Sequence, residues 1–187
     1  MKTLVLASQS PRRAELLKNA GFEFTVRAPS VDEAVREGED PEQHVERLAW
    51  EKAESVPGNA DEIVLAADTI VLIDGEILGK PRDRADAERM LTLLSGRKHE
   101  VLTAICLRSG AQVAKETVAT NVWFMTLSTA QIQEYVATGE PMDKAGAYAI
   151  QGIASRYIER IDGSYSNVVG LPIAAVHRLL KHVNRPC

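Results

Sequence analysis

Cysteine is nearly missing. The chain of 187 residues contains only Cys106 and Cys187. A disulfide scaffold or a zinc site needs more sulfur, or sulfur clustered with histidine. Both thiols read as incidental, one inside an apolar run and the other at the last position. The four histidines (His44, His99, His177, His182) form no ligand cluster in the sequence, and the pattern puts His44, His177 and His182 on helix surfaces. No Ser-His-Asp arrangement suggests nucleophilic hydrolysis. Aromatics make up only 5% of the chain, which argues against a surface that stacks successive bases of a nucleic acid. Basic charge is not in excess either. There are 22 basic and 26 acidic side chains, net −4, so a broad basic face for a nucleic-acid polymer is not expected. A few local cations can still hold a small anion. No apolar stretch approaches the ~18 residues of a membrane span, and the opening Met1–Ala7 segment is too short for a signal peptide. The expectation is a cytoplasmic protein without a membrane partner. Repeats, low-complexity tracts and long linkers are absent too, so one domain over residues 1–187 is expected.

What is present alternates between strand-like and helix-like segments, the pattern of an α/β fold. Leu4 to Ala7 reads as a short buried strand. Ser10 then caps a helix with Pro11 at its first position and Gly21 at its end. Residues 22–39 read as irregular, apart from the alternating Phe22, Phe24 and Val26. Asp40-Pro41 opens a second helix with Val45, Leu48, Ala49 and Ala53 at helical spacing. Ile63 to Ala67 is an apolar run that suits a central strand. Thr69 to Ile73 continues it, and Asp74-Gly75 signals a hairpin. Asp83 can cap a third helix whose core face is Ala87, Met90, Leu91 and Leu94. Strands follow at 99–108 and 112–124. Ser128 and Gln131 form a capping box for a helix presenting Ile132, Tyr135 and Val136. Residues 155–161 read as another strand, and Pro172 opens the last helix. Hairpins inside an alternating pattern imply a mixed sheet.

Five segments can carry chemistry. Ser8-Gln9-Ser10-Pro11-Arg12-Arg13 follows a strand and starts a helix. Free N–H groups there attract anions, and arginine forks match phosphate oxygens. The segment can be a phosphate grip or an ordinary capped helix with solvated arginines. Asp68 follows an apolar run, at a strand end where ligands gather in open α/β sheets. A carboxylate there is costly unless paired, yet it can also serve only a local turn. Asp32-Glu33 can help hold Mg²⁺ or Mn²⁺, or belong to a solvated acidic loop. Lys80, between Gly79 and Pro81, can face a phosphate or simply the solvent. Residues 143–152 are small enough for a ligand to approach the backbone. Gln151 there can read a polar base edge, or the stretch can be a tight crossing of elements.

Together, Ser8 to Arg13, Ala67-Asp68-Thr69-Ile70-Val71, Gly79-Lys80-Pro81 and Asp143 to Gly152 resemble the Maf family of nucleoside triphosphate pyrophosphatases. The motifs occur in that family's order and spacing, and the resemblance runs from Leu4 to the final helix. It implies a Maf-like α/β fold related to inosine triphosphate pyrophosphatases: an elongated mixed sheet flanked by helices, with two lobes around a cleft. It also implies a hydrolase that splits a nucleoside triphosphate into monophosphate and pyrophosphate with a divalent metal, Mg or Mn. Carried over by residue, Asp68 is the catalytic proton acceptor, and Glu33 and Asp68 help hold the metal. Ser8, Ser10, Arg12, Arg13, Lys52 and Lys80 lie on the phosphates, while Arg12, Thr69 and Gln151 are linked to substrate choice.

The stretch Ala145-Gly146-Ala147-Tyr148-Ala149-Ile150-Gln151-Gly152 is similar to the branch that prefers dTTP and UTP and also acts on modified pyrimidines. The branch acting on 7-methyl-GTP usually has Phe and Glu where Tyr148 and Gln151 stand. A glutamine amide can pair with the imide edge of uracil or thymine. The expected activity is therefore a house-cleaning dTTP/UTP pyrophosphatase. The rivals are a 7-methyl-GTP pyrophosphatase and a non-catalytic nucleotide sensor regulating cell division. A homodimer is compatible with the sequence, C₂ dimers being the commonest soluble assembly.

Overall fold

The computed structural model describes residues 2–183; Cys187 lies outside them. The elements in chain order are β1 (Thr3–Ala7), α1 (Pro11–Asn19), β2 (Phe24–Arg27), α2 (Pro41–Ser55), β3 (Glu62–Ile73), β4 (Glu76–Leu78), α3 (Arg84–Leu94), β5 (Lys98–Ser109), β6 (Gln112–Phe124), α4 (Thr129–Ala137), β7 (Ile158–Asp162), α5 (Tyr165–Val169) and α6 (Ile173–Val183). Short 3₁₀ turns lie at Glu140–Asp143, Ala145–Ala147 and Ile153–Tyr157. The strands form one sheet in the order β2-β1-β3-β5-β6-β7, with β4 on β3. β1 runs parallel to β2 and β3, while β3–β4 and β6–β7 are antiparallel. This is the mixed α/β sheet that the alternating pattern implies.

The chain divides into two compact units. The first holds residues 1–68, 103–118 and 170–187, and the second holds 69–102 and 119–169. In the first unit, Leu4, Leu6, Ile63, Leu65, Ile105 and Leu107 project from one face of the sheet into a core closed by Leu17, Val176 and Leu179. Alternate residues of a strand share a face, and here they pack against helical stripes. In the second unit, α3 packs on α4, burying Met90, Leu91, Leu94, Ile132 and Val136.

Several local readings match the structure in detail. Ser128 with Gln131 forms the reciprocal capping box, Asp83 accepts from the Asp86 amide, and Asp40 opens its helix, with a box to Gln43 that the sequence reading did not name. Cys106 is a buried free thiol, and burial pushes it up to about 11, which suits an inert role. No helix of the described residues is long and apolar enough to cross a membrane.

Other readings need correction. The strand read at 155–161 starts only at Ile158, because the chain first makes a 3₁₀ turn that buries Ala154 and Tyr157. That spacing of three belongs to a helical turn and not to a strand. Phe24–Arg27, inside the stretch read as irregular, pairs with β1. His44 is not on a surface. It is buried, with its Nδ1 3.0 Å from Glu39. The short helix α5 escaped the pattern; its first turn is held by the Ser164 hydroxyl, which accepts from the Asn167 amide.

Candidate active site

Within the first unit, three segments bring their polar groups together. The apolar run of β3 ends at Asp68, which is buried. Lys52, in the last turn of α2, is buried as well, and its ammonium donates to Asp68 Oδ1 at 2.6 Å. The same Nζ lies 2.5 Å from Glu33 Oε1, on a side chain that is half exposed. A buried carboxylate and a buried ammonium each cost several kcal/mol unless paired. Here each supplies the other's partner, and a third charge reaches in from the loop before α2. Asp32 does not join them. Its carboxylate accepts from the Ala34 amide at 3.0 Å, a local turn.

The junction of β1 and α1 lies beside this pair. Arg13 donates from Nη1 to the Ala67 carbonyl at 2.8 Å, one residue before Asp68, and from Nε to the Gly170 carbonyl at 2.8 Å. Burial, the largest influence, pulls the Arg13 guanidinium below its ordinary value; Asp68 and Glu33 oppose this, and Arg12 adds to it. A guanidinium stays charged even so. Ser8 is buried and its hydroxyl accepts from the Ser10 amide at 3.1 Å. Ser10 occupies the N-cap position with extended backbone, but its side chain makes no cap bond. Pro11 at the first helical position lacks an N–H, an absence that costs the helix nothing because that group would have no intrahelical acceptor.

Sequence reading missed what holds the Glu33 loop. Arg47, on α2, donates to Glu39 at 2.5 and 2.8 Å, to Glu51 at 3.0 Å and to the Ala34 carbonyl at 3.0 Å. Arg36 bonds Glu51 as well. The Arg47 bonds hold the Glu39 carboxyl far below the ordinary range. The network staples residues 34–39 to the helix that carries Lys52. The only advance signal was Arg47 and Glu51 at i, i+4 on one helix face.

The remaining predicted residues, Thr69, Lys80 and Gln151, belong to the second unit. Lys80 is exposed, just after Gly79. The Gly79 carbonyl accepts from the Gly146 amide at 3.1 Å, which ties the Lys80 loop to the small-residue stretch. Gly146 takes φ +69°, and a Cβ there would press on the Val71 side chain at 2.8–3.1 Å. Tyr148 is buried, and its hydroxyl meets His99 Nε2 at 2.8 Å. Gln151 is exposed, in a turn closed by the Gly152 amide donating to the Ala149 carbonyl at 3.0 Å.

Among the described residues, no three His, Cys, Asp or Glu side chains gather as a ready metal cage. Asp68 and Glu33 nevertheless converge on one point, the Lys52 ammonium. Two carboxylates suit a Mg²⁺ that keeps most of its ligands as water and substrate phosphate oxygens.

The family model described as Maf-like protein matches residues 3–183. A dTTP/UTP pyrophosphatase of Anaeromyxobacter dehalogenans is 54% identical over 187 residues, covering 98% of this chain and 95% of that protein. Another dTTP/UTP pyrophosphatase, from Symbiobacterium thermophilum, is 52% identical over 190 residues, covering 100% and 96%. Among solved structures, the Staphylococcus aureus Ham1 protein matches with TM-score 0.55 at 16% identity, covering 98% of this chain and 100% of that one. A HAM1 protein from Coxiella burnetii matches with TM-score 0.51 at 16% identity, covering 98% of each. At such identities the structural likeness is one of fold.

Proposed function

This chain belongs to the Maf-like family, and from that premise we propose that it hydrolyses dTTP and UTP to the monophosphate and pyrophosphate. The substrate class follows the relatives of about half identical sequence, which carry that name. The observation that carries the chemistry is the buried Asp68 carboxylate bound to Lys52.

Asp68 accepts the proton of the attacking water as it adds to the α-phosphate, and pyrophosphate leaves. Lys52 holds Asp68 oriented for this. Arg12, Arg13 and Lys80, with the Ser8 and Ser10 hydroxyls, bind the phosphates and spread the charge that develops on the leaving group. Arg13 is already fixed by two carbonyls, so little reorganisation is needed when phosphate arrives. Glu33 and Asp68 would hold a divalent cation, Mg²⁺ or Mn²⁺, which when bound lowers the charge on the phosphates. Arg12, Thr69 and Gln151 set substrate choice, with the Gln151 amide reading the imide edge of the pyrimidine. The reading places the protein with the cytoplasmic nucleotide pool.

The test is product analysis by chromatography. Each nucleoside triphosphate, including 7-methyl-GTP, is incubated with the protein and Mg²⁺ or Mn²⁺. Release of TMP and UMP with pyrophosphate is expected. In Asp68→Asn, which keeps the shape of the side chain, turnover should fall by roughly a hundredfold or more. Near-native turnover in that variant would remove Asp68 from its role. Selective cleavage of 7-methyl-GTP would overturn the pyrimidine assignment and keep the chemistry.

A further inference from the structure

Gln151 sits in a turn that is anchored by two residues with no assigned role. Tyr135, on α4, is fully buried. Its hydroxyl donates to Glu140 Oε1 at 2.8 Å. The other oxygen of Glu140 accepts from the Ile153 amide at 3.1 Å. The relay from Tyr135 through Glu140 therefore holds the chain two residues after Gln151, and the Gly152 amide donating to the Ala149 carbonyl closes the turn around it. The carboxylate also lies flat against Gly152, where a Cβ would run into it. Lys144 donates to the Glu140 carbonyl at 2.7 Å, fixing the start of the same segment.

The chemistry of this relay is specific. A carboxylate accepts on both oxygens, so it can take the tyrosine O–H and the amide N–H together. Hydrogen bonds to a charged acceptor are about twice as strong as neutral ones. Burial first, and the Glu140 bond next, keep the Tyr135 phenol well above its ordinary range, so it remains a donor. Glutamine at 140 would present an NH₂ at one end and leave one of the two donors without an acceptor. Nothing in the relay points at a ligand; what it fixes is the direction in which the exposed Gln151 leaves the turn.

We propose that Glu140 and Tyr135 are positioning residues that aim Gln151 at the base, and so set the preference for uracil and thymine over cytosine. This deepens the functional reading above and rests on Gln151 being the residue that reads the base. The difference between uracil and cytosine lies in the donor and acceptor pattern of one edge. A glutamine amide distinguishes them only when its orientation is held.

The experiment measures kcat and KM for UTP and CTP in wild type, Gln151→Ala, Glu140→Gln, Tyr135→Phe and the double variant Glu140→Gln/Gln151→Ala, with melting temperatures alongside. Gln151→Ala should collapse the preference for UTP. Glu140→Gln and Tyr135→Phe should each lower the UTP:CTP ratio by about tenfold, the effect of one good hydrogen bond, through the KM for UTP. The double variant should be no less selective than Gln151→Ala alone. A merely structural role would lower the melting temperature and weaken both substrates equally, leaving the ratio unchanged. Tyr135→Phe keeps the ring that packs edge-on against Tyr157, so it carries the test should Glu140→Gln not fold. If Gln151→Ala alters the ratio and neither clamp variant does, the clamp is overturned and the base reading stands. If Gln151→Ala leaves the ratio as in wild type, the base reading fails and the clamp fails with it.

Discussion

Lowering the pH should destabilise this protein through one histidine. His99, near the start of β5, is buried, 2% exposed. Phe124 and Tyr148 pack edge-on against its ring at centroid distances of 5.2 and 5.4 Å. Its Nε2 meets the Tyr148 hydroxyl, and its Nδ1 has no hydrogen-bond partner. Whichever nitrogen carries the proton of the neutral ring, adding a second one puts a charge among aromatic rings. Burial accordingly pushes the imidazole down to about 3.

The unfolded chain binds that proton near pH 6.5. Above pH 6.5 both states are neutral and stability is full. As the pH falls from 6.5 toward 3, the unfolded state takes up the proton and the folded state does not, so stability is lost. At about 1.4 kcal/mol per pH unit, the loss is about 3 kcal/mol at pH 4.5 and levels off near 5 kcal/mol below pH 3. Carboxylates titrate in the same range, so the comparison needs a variant that removes only this proton. His99→Gln keeps a hydrogen-bonding group toward Tyr148 and does not titrate. Urea unfolding followed by circular dichroism, at about pH 7 and pH 4.5, supplies the four stabilities. Wild type should lose about 3 kcal/mol more than the variant between the two conditions. Equal losses would refute the argument, because they would mean His99 takes up its proton equally well in both states.

Two further predictions concern the site and its support. Lys52→Met leaves the buried Asp68 without its ammonium, and breaking such a pair costs about 3–5 kcal/mol; the half-exposed Glu33 adds little. The double variant with Asp68→Asn should recover most of that stability in urea melts but no turnover, whereas a Lys52→Met protein as stable as wild type would disprove the ionic pairing. Gly146→Ala forces a side chain into a left-handed backbone, at about 1–2 kcal/mol, and presses its Cβ on Val71, at about 1–3 kcal/mol more. A chain of this size should then melt roughly 5–20 °C lower, with Val71→Ala restoring the steric part only; an unchanged melting temperature would contradict both terms.

Much of the fold was legible because it follows from local chemistry. Capping at Asp40, Asp83 and Ser128 needs only residues three apart. The apolar stripes of α2, α3 and α4 recur at helical spacing, so their core faces could be read directly. The failures lie where a distant partner decided the outcome. His44, on α2, is the exception, because the partners that meet its ring, Glu39 and Arg47, are only five and three residues away and could have been read locally. Phe24–Arg27 becomes a strand because β1 offers an edge. The candidate site divides in the same way. A carboxylate after five apolar residues announced that Asp68 needs a partner, but not that the partner comes from the far end of a helix sixteen residues earlier. Ser10 was correctly placed as an N-cap, yet its hydroxyl does not perform the capping that made it recognisable.

The pairing of Asp68 bears on how the site is charged. The chain is net negative, yet Lys52 and Arg13 stand at Asp68 and Glu33, two cations against two carboxylates. In the structure each carboxylate already neutralises part of that positive charge, since Glu33 and Asp68 share one ammonium. A triphosphate competes for those cations as soon as it binds. Under the proposed function, a carboxylate that the ligand displaces from Lys52 would become available to a divalent cation. The proposed function would then couple three events: anion arrival, release of the carboxylates from lysine, and cation capture. If that coupling holds, Mg²⁺ alone should bind weakly and nucleotide alone weakly, each tightening the other by the same factor.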